Sequence, residues 1–172
     1  MLKMTGALLV MLAATLGGWY QAGLYARRPR QIRELITALQ RLMTEINYGF
    51  TPLPEAMSKM GHQQREPLRS LFHRAARLME PGTGKSAQDS LHQAIEECWG
   101  ATAMKQPEKE ALRQLGFSLG TSDRQDQLKH VSLTIQQLSL EETAALADQQ
   151  RYEKMWRSLG MLCGALVVIL IF

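Results

Sequence analysis

Residues 30–48, RQIRELITALQRLMTEINY, decide the fold class. Ile32, Leu35, Ile36, Leu39, Leu42, Met43 and Ile46 follow one another at steps of three and one, which lays a single apolar stripe along a 3.6-residue helix. A helix with one apolar face buries it against other helices, so the class is all-α. Upstream, only the Pro29 break separates this helix from the apolar stretch before it. Gly49 ends the helix, and Thr51-Pro52 opens the next as N-cap and first-turn proline.

Downstream, short helices are expected over 52–59, over 66–79 (Leu68, Leu71, Phe72, Ala75, Leu78) and over 86–99 (Leu91, Ala94, Ile95, Cys98), the last capped by Ser86. Another is expected over 107–119 through Leu112, Leu115 and Phe117. After the turn Gly120-Thr121-Ser122, Ser122 or Asp123 caps a sixth helix through Leu128, Val131, Ile135 and Leu138. No Gly or Pro interrupts it before Leu159. Continued into the apolar tail, it becomes a rod of about 50 residues and roughly 75 Å. Ten Met, four Phe and four Tyr among 172 residues fit helix better than sheet. The longest β-branched run, Val167-Val168-Ile169, lies in the tail.

From Met4 to Ala26 no charge appears, a length that crosses a hydrocarbon core of ~30 Å. Trp19, Tyr20 and Tyr25 crowd its downstream end, and Arg27-Arg28-Pro29-Arg30 stops transfer on the cytoplasmic side. A cleaved signal peptide is the rival reading, with Lys3 and the small residues from Ala13 to Gly18 in its favour and the four following arginines against it. At the other end Ser158 to Phe172 is uncharged but spans only about 22 Å as helix. Snorkelling of Arg157 extends its reach. The expected organisation is therefore a transmembrane helix at 1–26, a cytoplasmic helical domain at 27–157 and a C-terminal transmembrane segment at 158–172. One domain fits the roughly 130 residues left between the ends.

The formal charge of +4 belongs to these flanks, because Glu34 to Gln150 carries fifteen acidic residues against twelve basic ones. That distribution argues against a nucleic-acid partner. Two isolated cysteines, Cys98 and Cys163, and four scattered histidines show no metal-ligand spacing, so no metal and no cofactor is expected. His62, His73, His92 and His130 are read as solvated or capping.

Pro81-Gly82-Thr83-Gly84-Lys85-Ser86 suggests a phosphate-binding loop, and membrane-tethered nucleotide binding is the alternative function it raises. The first glycine of that motif would stand at Met79, and the segment follows a helix where the motif needs a strand. A flexible helix connection is the plainer reading. Carboxylates at Glu96-Glu97, Glu108/Glu110 and Glu141-Glu142 point to different sides of their helices, and no nucleophile stands beside a base. The chain is thus read as not an enzyme. Arg28-Pro29-Arg30-Gln31-Ile32-Arg33 reads as an anchor on anionic lipid headgroups and as a docking patch.

Three blocks carry a resemblance: RRPRQIRELITALQRLMTEINYGFTPLPEA (Arg27–Ala56), LGTSDRQDQLKHVSL (Leu119–Leu133) and YEKMWRSLGMLCGALVVILIF (Tyr152–Phe172). They resemble the stage III sporulation protein AB family of endospore-forming bacteria, over the whole chain apart from about residues 80 to 106. The resemblance implies a six-helix fold similar to the cytoplasmic domain of the type II secretion F protein. It implies a two-pass protein of the mother-cell membrane around the forespore, a non-enzymatic platform in the secretion-like channel complex. Its implied partners are a secretion-type ATPase, other membrane proteins of the complex, membrane lipid and, as an open option, further copies of itself. The contact residues chosen by position are Arg28, Arg30, Glu45 and Tyr48 in the first block and Asp123, Arg124 and Asp126 in the turn.

Overall fold

The structure, a computed structural model, describes residues 26–48, 51–119 and 123–171. Among them are six α-helices and no strand: α1 (Arg27–Tyr48), α2 (Leu53–Gln63), α3 (Leu68–Leu78), α4 (Ala87–Cys98), α5 (Gln106–Ser118) and α6 (Arg124–Ile171). A 3-10 turn, Trp99–Ala101, follows α4. Two compact units emerge, one from Arg28 to Thr143 and another to which α6 from Ala144 onward belongs.

The apolar stripe of α1 becomes its buried face, with Ile32, Leu35, Ile36, Ala38, Leu39 and Leu42 all sealed. Met43 and Ile46, expected in the same stripe, are only half-buried because the covered face gives out toward the end of the helix. Pro29 sits within the first turn of α1, where a missing N–H costs no intrahelical bond, so it is no break in the described helix.

The cap of α2 falls one residue later than expected. Pro52 occupies it, with the Ala56 N–H donating to its carbonyl at 3.0 Å, while the Thr51 hydroxyl donates instead to Glu45 at 3.0 Å. The helix also runs on to Gln63, past Gly61. That glycine fits a helix interior here because a Cβ would stand 3.1 Å from the His73 ring. Ser86 caps α4 as expected, its Oγ accepting from the Asp89 N–H at 3.0 Å. Of the two caps considered for α6, Asp123 serves, accepting from the Asp126 N–H at 2.8 Å; Ser122 lies outside the described residues, as do Gly49 and the rest of the turn at 120–122.

Within the first unit α2 packs on α3, α3 on α4, and α4 on α5 and the 3-10 turn, a run of neighbours joined by short connections. Leu35, Leu39, Leu42, Met57, Phe72, Ile95, Leu112 and Leu115 are among its fully buried side chains, and Val131 and Leu138 of α6 are buried too. Each such side chain stabilises the fold by about 1.5–3 kcal/mol.

Phe117 corrects the expected core. It is 53% exposed, and its ring stands edge-on to His92 with centroids 4.9 Å apart. His92 is accordingly a packing residue: half-buried, with Nε2 2.9 Å from the Arg113 carbonyl. His73 likewise packs edge-on against His62 at 4.5 Å.

In the second unit Met155, Leu159 and Leu162 are exposed along α6 at steps of four and three. Its backbone is helical through Ile171. No helix among the described residues is long and apolar enough to cross a membrane. The membrane helix expected over 1–26 lies, but for Ala26, outside the described residues.

Candidate interaction surfaces

Among the described residues the most buried charge is Glu108, in the first turn of α5, whose side chain is wholly shielded from solvent. A carboxylate so placed requires a cation and hydrogen bonds to replace water. Arg28 supplies them from the first turn of α1: Nε donates to Oε1 at 2.9 Å and Nη2 to the same oxygen at 2.6 Å. The Lys105 backbone N–H donates to the other oxygen at 2.8 Å, which also fastens the start of α5. Arg28 Nη2 reaches on to Glu141 of α6 at 3.1 Å, and one turn along α1 Arg33 donates to Glu142 at 2.7 Å. Gln31 between them accepts from the Ala103 N–H at 2.7 Å. The start of α1 is thereby fastened to α5, to α6 and to the segment before α5.

A second cluster forms where α1 ends and α6 begins. The Arg124 guanidinium donates to the carbonyls of Ile46, at 2.7 Å, and Asn47, covering acceptors that the last turn of α1 leaves open. Asp123 caps its own helix, Glu45 holds Thr51, and Tyr48 and Asp126 face solvent. Five of the seven residues chosen from the sequence thus gather at this pole. Arg28 and Arg30 stand at the far end of α1, about 30 Å away by helical rise. Arg28 is turned into the domain. Arg30 is exposed, with Glu34 beside it at 3.4 Å.

Arg30 also lines an open groove of about 600 Å³ together with Arg33, Arg41 and Arg65. Arg41 and Arg65 are not among the residues the sequence singles out, because the pattern in 30–48 marks the apolar side. Arg30, Arg33 and Arg41 share the opposite side at helical spacing. Arg65 comes from the α2–α3 connection, which no periodicity in α1 reports.

Two exposed ion-pair sets tie neighbouring helices. Arg74 of α3 grips Glu97 of α4 with Nε at 2.6 Å and Nη2 at 3.2 Å, and this guanidinium, with the Gln93 amide, holds the Glu97 carboxyl down to about 2. Lys109 of α5 donates to Glu96 at 2.7 Å and lowers its pKa. His73 is lowered, first by burial and then by His62, Arg69 and Arg77. Burial raises the Cys98 thiol, which is a free cysteine.

The Gly82–Ser86 segment is an exposed connection between α3 and α4, with both glycines at positive φ. Lys85 bonds the Gln93 side chain, Thr83 donates back to the Leu78 carbonyl at 2.8 Å, and Ser86 is engaged as the α4 cap. The side chains a phosphate-binding loop needs have local structural tasks here.

Fold and contacts together define an all-helical domain among the described residues, with charged side chains locking its helix ends and an open basic groove on one side. Over residues 3–172 the chain matches the stage III sporulation protein AB family and belongs to it. It is 39% identical over 171 residues to stage III sporulation protein AB of Bacillus subtilis (strain 168), covering 99% of each chain. A solved structure of a stage III sporulation protein AB superposes with a TM-score of 0.69 at 37% identity, covering 73% of this chain and 98% of that one.

Proposed function

We propose that this chain is a non-enzymatic platform subunit of the secretion-like channel complex between mother cell and forespore, coupling a cytoplasmic ATPase to the membrane channel during endospore formation. In this reading it passes twice through the mother-cell membrane around the forespore, with the helical domain in the cytoplasm and a bundle like that of the type II secretion F protein. Family membership supports the sporulation role.

The observation that carries the coupling is the Arg28 cluster. Arg28 follows the N-terminal apolar stretch almost directly, and Glu141 lies on the helix whose sequence leads into the C-terminal one. The Arg28 guanidinium binds Glu141 at 3.1 Å, so force on either end reaches the other through a part-buried ion pair. The exposed Met155, Leu159 and Leu162 support an apolar environment for the tail. Tyr48 and Asp126, exposed beside a pole stiffened by Arg124, offer a partner rigid contacts.

Co-purification from sporulating cells tests the reading. The ATPase and the other membrane proteins of the complex are expected to come down with the wild-type chain, and less of them with Arg28→Ala at equal protein level. Recovery of neither partner from wild type, under conditions where those partners hold together, rejects it.

A further inference from the structure

The basic groove deepens this reading, on which it rests for the setting of a multi-protein complex. Arg30, Arg33 and Arg41 line it from α1 and Arg65 from the α2–α3 connection, with Glu34 as the one acidic member. Four arginines against one glutamate stand out on a unit that is otherwise close to balance, since Arg28–Thr143 holds fifteen basic and fourteen acidic residues. All four are arginines, whose planar forks suit carboxylates and phosphates alike.

Two features favour a polypeptide. From Arg30 to Arg41 the cations extend over about 16 Å of helix, the reach of roughly five extended residues and far more than one phosphate. Where these arginines have acidic partners, the partners are protein carboxylates: Glu34 for Arg30 at 3.4 Å and Glu142 for Arg33 at 2.7 Å. Both arginines are largely solvent-exposed, and such surface pairs are weak enough to exchange. Arg41 and Arg65 have no carboxylate in ion-pair reach among the described residues; Arg41 is steadied by the Gln63 amide. We infer that the groove docks an acidic segment of a partner protein, with carboxylates seated on Arg41 and Arg65 and competing with Glu34 for Arg30.

The test uses the full chain in phosphatidylcholine nanodiscs and a fluorescent oligoglutamate peptide read by anisotropy. Binding at low salt is expected, with loss at high salt. It should weaken by about tenfold or more in Arg41→Glu/Arg65→Glu and measurably in the milder Arg41→Gln/Arg65→Gln. Lys85→Glu/Lys129→Glu, the same charge change outside the groove, should leave it intact. No binding to wild type, or equal loss in both charge-reversal pairs, overturns the inference. So does binding of water-soluble dihexanoyl phosphatidylglycerol or inorganic phosphate that depends on Arg41 and Arg65 while the peptide does not. If the peptide fails while the ATPase still co-purifies, the groove inference falls and the platform reading stands.

Discussion

Removing the Arg28 guanidinium would leave the buried Glu108 carboxylate with the Lys105 N–H as its remaining donor among the described residues. Loss of one member of a buried pair destabilises by about 3–5 kcal/mol, so Arg28→Ala should lower the urea midpoint strongly, whereas Arg30→Ala should stay within about 0.5 kcal/mol. Proton chemistry separates two further sites. Glu97 is held at about 2, below the ordinary carboxylate value of about 4.3. Its contribution is therefore present above the unfolded value and fades as pH falls through the folded one. In carboxyl NMR titrations Arg74→Ala should bring Glu97 up toward the ordinary value. His73 is a base with a lowered pKa, so its neutral form is favoured in the fold; stability is unaffected above about 6.5 and declines with pH below it. Local residue roles were partly legible in the sequence: Ser86 reads as a cap and Asp123 as one of two candidates beside Ser122, while Thr51 reads as a cap that Pro52 in fact fills. Arg28 was read as a surface anchor, because a partner 80 residues away leaves no trace in a charge run.

Helices follow the same division between local and distant causes. The stripe in α1 and the boundaries of α3, α4 and α5 were visible to within about two residues, because apolar spacing and capping residues are written into each segment. The reach of α2 past Gly61 was not, since what makes a glycine welcome there is the His73 ring from α3. Phe117 was misplaced for a related reason: it lies near a stripe, and only the pairing of α4 with α5 shows which side is covered. The α3–α4 connection yields a clean comparison of its two readings. Ser86→Ala should cost about 1 kcal/mol through loss of the α4 cap, while Lys85→Ala should leave stability within about 0.5 kcal/mol. Addition of ATP with magnesium should not shift the melting temperature of the wild type, and a shift abolished by Lys85→Ala would revive nucleotide binding.

The family resemblance rests on three blocks and leaves out about residues 80 to 106, while the contacts between helices are set by the fold. Arg28 to Thr143 closes on itself as one compact unit. A fragment limited to those residues should accordingly give a single cooperative urea transition by circular dichroism; a gradual decline would show that it needs the remainder of the chain. The Pro81–Lys85 connection then acquires a practical use. Each of its five residues is exposed, Gly82 and Gly84 have open space where a side chain would begin, and the helix beyond is capped by Ser86, which lies outside the loop. It is the natural splice point for an epitope tag or a small fluorescent reporter, placed after Gly82, which would let the protein be followed in living sporangia with both chain ends left untouched.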